Sequence, residues 1–123
     1  MSIEGMWAVY FGDAGGGQVN SGVAVLETGR ILGGDSMMAY LGNYVVSGGD
    51  VAGEVKIWAY NPHQVVVTAF GRMGTPEGVI LNLEGKYDSH AGKMGEITGH
   101  LWETSNPQLK IPAKLAKVAD LPN

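Results

Sequence analysis

The chain has 123 residues; 20 are Gly and none is Cys, and a glycine share of about one in six compares with ~7% in ordinary domains. With 16% charged and 45% apolar residues, the composition excludes a disulfide scaffold and a highly charged disordered chain, and glycines without a three-residue period exclude collagen. Twelve acids against eight bases give a net charge of -4, which argues against a nucleic-acid partner held by the surface as a whole.

At this length the chain reads as one domain over 1–123 with a single core, and its dominant period is two. Trp7, Val9 and Phe11 share one face of a first strand. Val19, Val23 and Val25 share a face of the next, opposite Asn20, Gly22 and Ala24. The Gly12–Gly17 stretch between them, with Asp13, suits a hairpin connection. Glu27-Thr28-Gly29-Arg30 is a tighter turn into a short strand around Ile31 and Leu32, broken by Gly33-Gly34-Asp35-Ser36.

From Met38 to Val46, Met38, Tyr40, Gly42, Tyr44 and Val46 alternate with Ala39, Leu41, Asn43 and Val45, so both faces are rather apolar. Such a strand is covered on two sides, or lines a cavity on one and meets a partner on the other. After Ser47-Gly48-Gly49-Asp50, the run from Val51 to Tyr60 sets Val55, Ile57 and Ala59 against Glu54, Lys56 and Trp58. Asn61-Pro62-His63 ends it. Gln64 to Phe70 is a short β-branched run, and 71–76 is a loop. Val79, Leu81, Leu83, Gly85 and Tyr87 then form one face of a long strand, closed by a turn over 88–95. Ile97, Gly99 and Leu101 alternate with Glu96, Thr98, His100 and Trp102 up to Ser105-Asn106-Pro107. Leu109 to Val118 reads as a strand, with a helical turn over 113–117 as the alternative.

Eight or nine short strands with Gly in the turns predict an all-β fold, a small closed antiparallel barrel of about eight strands. Gly22, Gly42, Gly53, Gly85 and Gly99 fall inside strands, where Gly costs stability. Their recurrence points to sharp coiling or close backbone approach.

Catalytic signals are few. His63, His90 and His100 have no metal-ligand spacing, no Ser lies in a nucleophile elbow, and Gly15–Gly17 is followed by no Lys-Ser/Thr. Asp50 and Glu54, four residues apart on a strand, stand about 13 Å from each other, too far to act as a carboxylate pair. Asp13, Asp35 and Asp50 in Gly-rich loops read as turn residues rather than calcium ligands. The expectation is no enzyme, no metal and no cofactor. Lys110, Lys114 and Lys117 read as a solvated basic stripe. No apolar run reaches the roughly 18 residues of a membrane span, and the first residues lack a secretory pattern, so the expected location is cytoplasmic with no membrane partner. The stronger signal is aromatic and apolar: Trp7, Tyr40, Tyr44, Trp58, Tyr60, Tyr87 and Trp102 with Met37 and Met38 either pack a barrel core, line a cavity for an apolar ligand, or form a patch for a partner.

Gly5-Met6-Trp7 resembles the Gly-x-Trp signature of lipocalin-like barrels. The longer series Gly5-x-Trp7-x-Val9-x-Phe11, a Gly-rich link, Gly22-x-Ala24-x-Leu26, Gly33-Gly34-Asp35 and Tyr40-x-Gly42-x-Tyr44 resembles the GrlR family, negative regulators of type III secretion and their relatives. The resemblance covers about residues 4–118 and is clearest before residue 60. It implies a lipocalin-like barrel, commonly dimeric, with an apolar interior. It also implies anti-activation, in which the barrel binds a transcriptional activator and keeps it from its promoter. The family's best-known member carries a run of acids on the loop after the Tyr-x-Gly strand; here that stretch is Ser47-Gly48-Gly49-Asp50-Val51, with Asp50 its one acid. The expected function is therefore a non-enzymatic GrlR-like regulator acting by protein–protein contact, with Asp50 and Glu54 at the partner surface. The alternative is a carrier or sensor of a small apolar ligand. Trp7, Met38, Tyr40, Tyr44 and Trp58 are assigned to the cavity or to a homodimer interface, since a strand with two apolar faces needs cover beyond one barrel.

Overall fold

A computed structural model of the chain describes residues 2–12, 18–61, 68, 70 and 74–123, with the backbone alone for 18–21. Eight strands follow in chain order: β1 (Gly5–Gly12), β2 (Gln18–Glu27), β3 (Arg30–Gly34), β4 (Met38–Ser47), β5 (Asp50–Ala59), β6 (Val79–Asp88), β7 (Glu96–Glu103) and β8 (Asn106–Ala119). Each pairs antiparallel with the next, and β8 pairs back onto β1, so the sheet is a closed up-and-down barrel with no free edge among these strands. The C-terminal segment is strand, not helical turn. Asp13 to Gly17, the turn residues Pro62 and His63, and the run from Gln64 to Phe70 lie outside the described residues, except Thr68 and Phe70, neither of which is in a strand.

Alternation along each strand sends one residue in two to the interior. Trp7, Ala24, Ile31, Tyr44, Val51, Val55, Ile97, Ile111 and Leu115 are buried there. In β2 the inward face is Ala24 and Leu26, while Val23, 44% exposed, points out. Val23 and Val25 thus stand on the outer face of this strand, and β1 decides the matter. Trp7 is fully buried and sits directly opposite Ala24, and directly paired residues share a face. A methyl group opposite an indole leaves the indole room.

Two hairpins at the end of the barrel holding the N-terminus use positive φ in both central residues, as tight two-residue turns require: Thr28 (51°) with Gly29 (75°), and Gly48 (58°) with Gly49 (89°). The glycines inside strands work differently. A Cβ on Gly99 would stand 1.8 Å from the Glu84 carbonyl oxygen and 2.5 Å from the Gly85 Cα; one on Gly42 would stand 2.0 Å from the Glu54 carbonyl. Close backbone approach between coiled neighbours therefore excludes a side chain at these positions.

Gly99→Ala is expected to lower stability by about 2–3 kcal/mol, because backbone on a paired strand must shift. Gly48→Ala, which meets nothing within 4 Å and strains only its own φ, is expected to cost about 1 kcal/mol. Urea unfolding of the two variants checks this ranking.

Candidate functional site

The inward positions are mostly Val, Ile, Leu and Ala, which are too short to meet across an eight-stranded barrel. They leave a cavity of about 450 Å³, within the ~300–1,000 Å³ of small-molecule sites. Its wall is apolar: Val9, Phe11, Val55, Leu83, Leu101 and Ile111 are representative.

One end is a floor. Trp7, fully buried, donates from Nε1 to the Ile3 carbonyl at 2.9 Å, and its ring meets Tyr87 edge-on with centroids 6.0 Å apart. Lys117, 4% exposed, lies opposite Trp7 in the register; its Nζ donates to the Ser2 carbonyl at 2.7 Å and pairs with Asp120 at 2.7 Å. Glu4 accepts a hydrogen bond from the Thr28 backbone N–H at 2.6 Å. Residues before β1 and after β8 are thereby drawn over this end. Lys117 departs from the expected basic stripe: it falls on the inward parity of Ala113 and Leu115, whereas Lys110 and Lys114 point out. A buried ammonium is tolerable here because a carbonyl and a carboxylate receive it.

The other end is the mouth, bordered by Asp35, Ser36, Met37, Thr68 and Phe70. Ser36 and Met37 are exposed, so the cavity reaches the surface there. Asp35 organises the β3–β4 turn. One carboxylate oxygen accepts from the backbone N–H of Met37 (2.8 Å) and Met38 (2.7 Å), the other accepts from the Tyr40 hydroxyl, and the Asp35 carbonyl accepts from the Tyr60 hydroxyl at 3.1 Å. An Asp bonding the backbone two and three residues on is the usual local chemistry of such a turn. Burial, then the hydrogen bond to Asp35 and its charge, push the Tyr40 phenol far above the ordinary tyrosine range.

Of the residues singled out in the sequence, Met38, Tyr40 and Tyr44 line the cavity. Trp7 lies beneath it in the floor. Trp58 does not line it: the parity that buries Ile57 and Ala59 turns Trp58 outward, half-buried, with the Lys56 ammonium 5.5 Å from its ring centre. Asp50 and Glu54 are both exposed on the outer face of β5, and Asp50 pairs with Lys86. His100 is exposed on the outside, opposite Glu84, and His90 is exposed in the turn after β6. No group of three or more His, Cys, Asp or Glu is arranged to hold a metal among the described residues.

The outside of the barrel carries a second feature. Met6, Val25, Leu32 and Leu41 form one row across β1 to β4, and Ala8, Val23, Gly34, Ala39 and Trp58 form the row beside it. Met6, Val23, Leu32 and Leu41 are each between 41% and 52% exposed. Contiguous apolar surface of this kind marks contact sites. No protein-family model matches the chain, and no curated protein matches it significantly.

The raised pKa of Tyr40 fixes a sign for pH dependence. A phenol whose folded pKa exceeds its unfolded value near 10 stabilises the fold fully below that value, and the contribution is lost as pH rises toward the folded one. Wild-type stability is expected to fall steeply above pH ~10, while Tyr40→Phe flattens that slope and costs about 1–2 kcal/mol at neutral pH. Denaturant melts across alkaline pH check it.

Proposed function

We propose that the protein is a non-enzymatic carrier or sensor of a small apolar ligand held in the barrel interior. One observation carries the reading: a cavity of about 450 Å³, walled by aliphatic and aromatic side chains and reaching the surface at one end. Water in such a space finds few partners, and an empty space forgoes dispersion contacts, so an apolar guest is favoured over both. At ~0.8 kcal/mol per buried methylene, a chain of ten to twelve carbons gains roughly 8–10 kcal/mol gross; association costs of at least about 4 kcal/mol leave a dissociation constant of roughly 0.1 mM.

N-phenylnaphthylamine, a neutral apolar fluorophore, is expected to bind with a blue-shifted, enhanced emission and a dissociation constant of roughly 0.1 mM. Ala113→Phe, which places a ring in the cavity where Ala113 now lines it, is expected to weaken binding at least about tenfold with the melting temperature held or raised. Absence of probe binding to the wild-type barrel overturns the reading.

A second reading, a GrlR-like regulator acting by protein–protein contact, draws support from the two apolar rows across β1 to β4. The sequence resemblance puts this reading first; the cavity reverses the order. A second copy of the chain is the occupant proposed for these rows, which Lys56 adjoins on β5, opposite Leu41, with Glu54 and Asp50 farther along that strand. Sedimentation equilibrium at micromolar concentration is expected to give a dimer for the wild type and a monomer for Leu41→Glu. A wild-type monomer contradicts this.

A further inference from the structure

Apart from the Tyr44 phenol the cavity wall is apolar except near its mouth, and among the described residues that line it one side chain is charged: Asp35. Its three donors, the Met37 and Met38 amides and the Tyr40 hydroxyl, are all neutral. No cation pairs with it among the described residues. A carboxylate offers about four acceptor sites, so one remains beside the Tyr40 contact. The group is also fixed in place. The Asp35 N–H donates to the Met38 carbonyl at 2.9 Å, and the Tyr60 hydroxyl holds the Asp35 carbonyl.

A ligand whose chain fills the apolar interior brings its polar end to this mouth. An anionic head there meets a fixed like charge across low-dielectric surroundings; a head that donates hydrogen bonds meets an acceptor left open among the described residues. Building on the ligand-carrier reading, we infer that the cavity selects apolar molecules with a hydrogen-bond-donating head, a primary ammonium above a hydroxyl, and discriminates against the carboxylate of a fatty acid through Asp35. Tyr40 acts as a positioning residue: its hydroxyl occupies one acceptor site and so moderates the pull on the ligand.

Dodecylamine, dodecanol and dodecanoate, each below its micellar concentration, provide the test by calorimetric titration at neutral pH. The expected order is amine, alcohol, carboxylate, with about tenfold in affinity separating the first from the last. Asp35→Asn keeps an acceptor for the Met37 and Met38 amides but removes the charge, and is expected to bring the amine-to-carboxylate ratio close to one. Tyr40→Phe frees an acceptor site and is expected to widen that ratio. Glu84→Gln, which removes an exposed charge from the outside of β6, is expected to leave it unchanged. Equal binding of all three chains, or carboxylate binding tighter than alcohol, overturns the inference while the ligand-carrier reading stands. Failure of every chain to bind overturns both. If Asp35→Asn does not fold, the wild-type order and the Tyr40→Phe ratio decide.

Discussion

Closure of eight strands fixes a circumference, and with it an interior volume, that the inward side chains of this sequence cannot fill. Eight strands give an interior that is just packed when large residues point in, and here the inward set is dominated by Val, Leu, Ile and Ala. Trp7 and Tyr87, which meet edge-on, occupy the floor, while Phe11, Met38 and Tyr40 line the space toward the mouth without filling it. The remaining space becomes the cavity. Its apolar wall and its depth follow from that inward set, and its mouth-end charge from the β3–β4 turn that Asp35 organises. The close strand approach at Gly42 and Gly99 belongs to the same closure, since strands coiled this tightly leave no room for a Cβ there.

The two ends are built on different principles. At the floor, chain termini are tied across the opening by the indole of Trp7 and the ammonium of Lys117. At the mouth, the polar groups belong to one short turn, whose Asp35 carboxylate is spent mostly on its own backbone and on Tyr40. The first arrangement closes; the second leaves, among the described residues, an acceptor facing the entrance. The interior and the outer apolar rows lie on opposite faces of β1 to β4, so the two functional readings draw on separate surfaces of the same strands.

Strand positions are legible because period-two alternation recurs in each run from Val79 to Val118, and the turns between the runs mark the ends. The barrel itself was legible through the strand-interior glycines. Face direction was harder. In β2 Val23 and Val25 look like core by residue type, yet the register set by Trp7 opposite Ala24 turns them outward. Lys117 resembles its exposed neighbours in composition, and only its parity with Ala113 and Leu115 marks it as inward. The same parity count, applied to Ile57 and Ala59, separates Trp58 from the cavity that its residue type suggests. Asp35 reads as a turn residue from its Gly-rich setting, and its bonds to the Met37 and Met38 amides make it one. Its place at the mouth depends on which end of the barrel each turn occupies, and that emerges only when all eight strands are laid in order.

The most direct measurement is a crystal structure of the protein soaked with a terminally brominated long-chain alcohol, collected at the bromine absorption edge. The account predicts an anomalous peak inside the barrel among Val55, Leu83 and Leu115, with the hydroxyl end toward Asp35. An interior filled by inward-collapsed side chains, with no bromine within it, would contradict the account.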